Sequence, residues 1–132
     1  TETGFLLAEI RHALAHLRGW MRPERRLAPL TQLPGYSRLE RQPYGATLII
    51  APWNYPVQLA LGPLVAALAA GNCAVVKPSE LAPATSAALA QLIGQTFAPE
   101  HVAVVEGGVA ETTALLAQPW DLVFYTGSEA VG

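Results

Sequence analysis

Charge is scarce in this sequence. Lys, Arg, Asp and Glu make up 14% of the 132 residues, against about 25% in an average globular chain. With 52% hydrophobic residues, this composition excludes an intrinsically disordered segment, which needs low hydrophobicity and high net charge. No basic excess exists either. The formal net charge of −2 argues against a general nucleic-acid binder, so no nucleic-acid partner is expected. The single cysteine, Cys73, cannot make an internal disulfide, and an oxidising, exported setting has no support. No metal site is expected. His12 and His16 are spaced four apart, but no Cys, His or acid cluster completes a tetrahedral set, and they read as a solvated helix face. The longest apolar run, Val57 to Ala70, is broken by Gln58, Gly62 and Pro63. It falls short of the roughly 18 apolar residues that a membrane span needs. The chain starts at Thr1 without a charged-then-apolar leader. The expected setting is therefore soluble, reducing and cytoplasmic, and the length is that of one domain able to bury a core.

The charge that is present is unevenly spread. Residues 1–41 hold seven of the eight basic side chains and four acids, whereas residues 42–132 hold Lys77 alone against six acids. The composition turns from Arg-rich to Ala-, Val- and Leu-rich at the same place. Two parts are expected: an N-terminal helix with an extended connection over residues 1–45, and an α/β body over residues 46–132. In the lead-in, Leu7, Ile10, Leu14, Leu17 and Met21 recur at spacings of three and four. That predicts one face of a helix, ended by Pro23. Residues 22–41 read as extended, with room for a strand within Tyr36–Tyr44, and the arginines of residues 11–41 read as a solvated or subunit-facing surface.

In the body, four short apolar runs stand out: Ala46–Ala51, Ala74–Lys77, His101–Glu106 and Leu122–Tyr125. None alternates cleanly, so each is expected to be buried on both faces, as parallel strands are. Between them, Pro56–Ala70, Pro83–Phe97 and Val109–Ala117 are of helical length. Gly71-Asn72 is a stop signal for the first, and Pro63 should kink or divide it. Cys73 reads as a small core residue. Strand–helix–strand repeated three times implies right-handed parallel crossovers. The expected fold is thus α/β: a partial doubly wound parallel sheet, Rossmann-like, with an N-terminal helical lead-in. A further helix is expected to begin after Gly127.

Ligands of such sheets collect outside the carboxyl ends of the strands. Those ends read Ala51–Pro56, Lys77–Glu80, Glu106–Gly108 and Thr126–Ser128. The last begins a Gly-x-x-x-x-Gly stretch, Gly127 to Gly132. Glycine there lets a backbone approach a phosphate, although the same pair also serves as ordinary turn chemistry. No Lys-Ser/Thr follows, so it is not a Walker loop. Lys77, with Glu80 three residues on, can donate to and accept from ribose hydroxyls, or else reach solvent. Asn54 is either a turn residue before Pro56 or a neutral amide that donates to a developing oxyanion without titrating.

Five segments together closely resemble the aldehyde dehydrogenase superfamily: Pro-Trp-Asn-Tyr-Pro (52–56), Ala-Ala-Gly-Asn (69–72), Lys-Pro-Ser-Glu (77–80), Gly-Gly-Val-Ala-Glu-Thr-Thr (107–113) and Phe-Tyr-Thr-Gly-Ser-Glu-Ala-Val-Gly (124–132). Trp20-Met21-Arg22-Pro23 looks like the end of that family's N-terminal helices, and the Gly-Gly-Val form resembles its class 3 branch. The resemblance implies NAD(P)-dependent oxidation of an aldehyde to a carboxylic acid through a cysteine thiohemiacetal, with a glutamate-activated water hydrolysing the thioester. It implies that Asn54 stabilises the oxyanion and that Lys77 and Glu80 hold the adenosine ribose. Trp53, Gly127 and Ser128 are then expected near the pyrophosphate and Val131 beside the adenine. Pro52, Ser79 and Gly132 complete the expected cofactor-binding set. NAD is the expected cofactor, because Glu80 would repel a 2′-phosphate, with NADP as the alternative. In that family the nucleophilic cysteine and the general-base glutamate follow the Gly-x-x-x-x-Gly helix. Cys73 does not match the nucleophile, so these 132 residues alone are not expected to catalyse. The complete enzyme is expected to take an aldehyde and to be a homo-oligomer. The alternative is a non-catalytic nucleotide-binding fragment, or a self-associating one with an unpaired sheet edge.

Overall fold

The lead-in begins with α1 (Glu2–Trp20), N-capped by the Thr1 hydroxyl, which accepts from the Gly4 N–H. The computed structural model describes residues 1–129. After α1 comes a small antiparallel pair, β1 (Glu24–Arg26) and β2 (Ser37–Leu39), with Arg25 opposite Arg38. The strand expected within Tyr36–Tyr44 is β2. Its partner β1 lies in the stretch expected to be merely extended, because Glu-Arg-Arg carries no apolar alternation. Glu24 ties this region together through ion pairs to Arg26 and Arg41.

The four apolar runs become the strands β3 (Ala46–Ile50), β4 (Cys73–Lys77), β5 (Val102–Val104) and β6 (Leu122–Tyr125). They form one parallel sheet in the order β5-β4-β3-β6. This is the 3-2-1-4 order of a doubly wound nucleotide-binding half. The intervening helices are α2 (Pro56–Ala69), α3 (Pro83–Thr96) and α4 (Val109–Leu116). The path from β3 through α2 to β4 crosses the sheet one way, and the path from β5 through α4 to β6 crosses it the other way. Right-handed crossovers then assign α4 to the opposite face from α2.

The core lies under α2 and α3. Ile49, Ala51, Ala74, Val76 and Val102 of the sheet region pack with Ala60, Leu64 and Ala67 of α2 and with Leu89 and Ile93 of α3. Each large side chain buried here stabilises the fold by roughly 1.5–3 kcal/mol. The α2 helix runs through Pro63 undivided, although a proline supplies no N–H to the Leu59 carbonyl one turn back. It ends in a Schellman motif: Gly71, at φ 86, donates to the Leu68 carbonyl, and Asn72 donates to the Ala67 carbonyl.

Three expectations fail in instructive ways. Along α1 the side turned inward carries Leu6, Glu9, Ala13 and Leu17, while Leu7, Leu14 and Met21 of the expected stripe are exposed. The stripe is wider than α2, which packs against it. On β6, Leu122, Val123 and Phe124 are exposed rather than buried on both faces. This strand borders only β3, and among the described residues no helix packs extensively against it. Cys73 is also exposed. As the first residue of β4 it sits at the end of the sheet, beyond the core. No helix among the described residues is long and apolar enough to cross a membrane.

Candidate functional site

Parallel strands of matched register end level with one another. Ile50 pairs with Lys77 on β4 and with Tyr125 on β6. The ladder then continues one step: Ala51 N–H donates to the Lys77 carbonyl, Thr126 N–H to the Ile50 carbonyl and Val105 N–H to the Val76 carbonyl, each at 3.0 Å. All four predicted loops therefore leave one rim. The chain turns from one side of β3 to the other here, so the crevice between segments 51–54 and 126–128 is the topological switch point of the sheet.

On the β3 side of that crevice Pro52 is half-buried, while Trp53, Asn54 and Tyr55 are exposed. On the β6 side the Gly127 backbone lies against the Tyr125 ring. A Cβ at Gly127 would overlap that ring, and the Tyr125 hydroxyl donates to the Ser128 carbonyl at 3.2 Å. Val131 and Gly132, and the helix expected after Gly127, lie outside the described residues.

One strand over, Lys77 is 3% exposed, which excludes the reading of a lysine reaching solvent. Its ammonium donates to Glu80 Oε2 at 2.7 Å. That hydrogen bond, followed by the one from the Glu80 backbone N–H, holds the Glu80 carboxyl below the usual carboxylate range. Glu80 itself is 44% exposed along its side chain, so the pair presents a carboxylate edge to the rim. Ser79 faces inward: its hydroxyl accepts from the Leu81 N–H at 3.2 Å, and its carbonyl accepts from the buried Ser86 hydroxyl at 2.8 Å. These bonds shape the turn into α3.

The loop after β5 adds a residue that motif reading left without a role. The Glu111 carboxylate accepts from the Gly108 N–H at 2.7 Å, which is the return half of a capping box at the start of α4, the glycine N-cap having no side chain to supply the other half. Its own and the Gly108 N–H hold the Glu111 carboxyl low, with the Lys77 charge adding to the effect and Glu80 opposing it. The Gly108-x-x-Glu111 spacing was the signal for it. Glu2, whose carboxylate accepts from the Val57 and Gln58 N–H groups at 2.9 and 2.8 Å, had no such signal, since its partners are 55 and 56 residues away. His12 and His16 are exposed, as expected, and stack with ring centroids 4.1 Å apart.

Residues 3–132 match the aldehyde dehydrogenase family. The chain belongs to that family. Aldehyde dehydrogenase family 3 member H1 of Arabidopsis thaliana is 47% identical over 99% of this chain and 27% of its own length. The substrate-bound AldH of Staphylococcus aureus superposes with a TM-score of 0.96 at 45% identity, over 98% of this chain and 28% of that one. The NADP-dependent glyceraldehyde-3-phosphate dehydrogenase of Bacillus halodurans, complexed with NADP, superposes with a TM-score of 0.78 at 27% identity, over 99% of this chain and 29% of that one. The chain thus spans somewhat more than a quarter of the length of these relatives.

Proposed function

We propose that this chain is the cofactor-binding part of an NAD(P)-dependent aldehyde dehydrogenase that oxidises an aldehyde to a carboxylic acid. In this reading residues 1–45 are a lead-in and residues 46–132 the beginning of the NAD(P)-binding domain. The observation that carries it is the Lys77–Glu80 pair, a buried ammonium bound at 2.7 Å to a part-exposed carboxylate on the rim. An ammonium only donates and an ionised carboxylate only accepts, so together they suit adjacent ribose hydroxyls, which do both. The residues present therefore fit such a cofactor. When bound, it supplies the acceptor for a hydride.

The chain's own residues bind and orient. Lys77 and Glu80 hold the ribose, while Pro52, Trp53, Gly127 and Ser128, with Ser79, Val131 and Gly132, complete the cofactor-binding set. The Asn54 amide donates to the aldehyde oxygen as negative charge gathers on it, and keeps its proton throughout. Glu80, held ionised by Lys77, repels a 2′-phosphate and so favours NAD over NADP. We further read the complete protein as a homo-oligomer and, from the free Cys73 thiol, as suited to a reducing, cytoplasmic setting.

The test is nicotinamide absorbance on mixing the full-length protein with NAD and a fatty or aromatic aldehyde. Asn54→Ala is expected to lower kcat by about 10²–10³-fold with the cofactor KM unchanged. Lys77→Ala is expected to raise the cofactor KM by about 10–100-fold. An unchanged kcat in Asn54→Ala together with an unchanged cofactor KM in Lys77→Ala sinks the reading. A second reading, a self-associating segment, is favoured by the exposed Leu122, Val123 and Phe124 on the β6 edge. Light scattering that returns a clean monomer of the 132-residue chain counts against it.

A further inference from the structure

A helix start leaves several backbone N–H groups without partners, and α2 receives no help from its own sequence. Tyr55 at its N-cap makes no side-chain cap, and Pro56 at its first position has no N–H. The Val57 and Gln58 N–H groups go instead to Glu2 Oε2, across 55 residues of chain and in a part-buried setting. Charge-assisted bonds of this kind are about twice as strong as neutral ones.

The residue just before this grip is strained. Tyr55 sits at φ 47, ψ 52, a left-handed conformation that is unfavourable for a non-glycine residue and lasts only where the surroundings over-determine it. Asn54 is its neighbour. The segment is thus held at both ends: β4 holds Ala51, whose N–H donates to the Lys77 carbonyl at 3.0 Å, and Glu2 holds residues 57 and 58. Helix packing adds a reason for a carboxylate here. Glu2 meets Val57, and Glu9 approaches Gly62, so α1 and α2 lie side by side in the same direction with their positive ends together. The Glu2 carboxylate lies between those ends and offsets their repulsion.

We propose that Glu2 is a positioning residue for the oxyanion-binding amide: by anchoring the start of α2 it holds Tyr55 in its strained conformation and so aims Asn54 at the reacting oxygen. The proposal rests on the reading of Asn54 given above. Without the anchor, Tyr55 relaxes toward the ordinary backbone regions and Asn54 moves with it.

A double-mutant cycle on the full-length protein tests this, with kcat, KM for both substrates and thermal midpoint measured for Glu2→Ala, Asn54→Ala and the pair. Glu2→Ala is expected to lower kcat by about 10–100-fold while cofactor KM stays within twofold. Glu2→Gln, which keeps an oxygen acceptor, is expected to recover most of the loss. The pair is expected to be no slower than Asn54→Ala alone, because residues acting as one unit are not additive. Additive losses overturn the proposal, since they mean that Glu2 acts independently of Asn54. Normal turnover in Glu2→Ala beside a slow Asn54→Ala overturns it and leaves the oxyanion role standing. Normal turnover in Asn54→Ala removes that role and the proposal with it. Should Glu2→Ala fail to fold, the same cycle run with Glu2→Asp, which shortens the reach, gives the same discrimination.

Discussion

Strands β3 and β6 are register partners of similar apolar content, yet their environments are opposite. Thr47, Leu48, Ile49 and Ile50 are all buried, while Leu122, Val123 and Phe124, lying directly beside three of them, are each 38–44% exposed. The difference comes from neighbours. β3 has a strand on each side and α2 on one face, whereas among the described residues β6 borders β3 alone and no helix packs extensively against it. Apolar composition therefore marks a strand, but its place in the sheet decides how much it stabilises.

The comparison breaks most sharply on side-chain deletion. In denaturant unfolding of the 132-residue chain, Ile49→Ala should cost about 2–5 kcal/mol, and Phe124→Ala well under half as much. Equal losses would mean that β6 is buried in solution by another copy. A smaller effect separates the two ties on the start of β3. From the β4 side the buried Asn72 accepts the Gly45 N–H at 2.9 Å and donates to the Ala67 carbonyl at 3.1 Å. From the β6 side the exposed Asp121 accepts the Ala46 N–H at 2.7 Å. Asn72→Ala leaves buried groups unpaired and should cost about 1–3 kcal/mol, while water replaces much of what Asp121→Ala removes, so urea midpoints should move far more for the first.

The smallest effect lies at the other end of the same strands. The β4 rim is tied by an ion pair, Lys77 with Glu80, and the β6 rim by the neutral bond from Tyr125 to the Ser128 carbonyl. Because the Glu80 carboxyl is held low in the fold, its contribution is complete above the unfolded carboxylate value of about 4.3. It is lost as pH falls through the lowered folded value. Acid-unfolding profiles of the chain and of Glu80→Gln should differ above that pH and converge in stronger acid. The gap should be small because the side chain is part-exposed. Profiles that stay parallel throughout would detach Glu80 from Lys77.

Much of this was legible in the residues themselves. The strand and helix limits of the body agree with the apolar runs to within a few residues, because Pro56, Pro83 and Gly71-Asn72 punctuate them chemically. The rim was legible too, since the polar and Gly-rich stretches follow strands that must be parallel. What escaped depended on partners far away in the chain. The inward side of α1 is set by α2, the exposure of β6 by what borders it, and the task of Glu2 by two N–H groups that no local spacing connects to it. The burial of Lys77 was likewise invisible, because a lysine at a strand end has no sequence mark that separates a solvated ammonium from one enclosed beside Glu80.

The strand order also sets a sequence of events. β4 finds β3 across a stretch of chain like the 27 residues between Gly45 and Asn72, and β5 joins β4 over a similar distance. β6 must return past both to reach β3, a span like the 75 residues between Ala46 and Asp121. Long-range pairings of this kind form slowly. As the chain emerges from a ribosome, three strands with α2 and α3 can assemble before the residues of β6 have been made. The crevice between Asn54 and Gly127 is then the last part to close, and a chain interrupted before Leu122 carries the Lys77–Glu80 pair but lacks the β6 wall of that crevice.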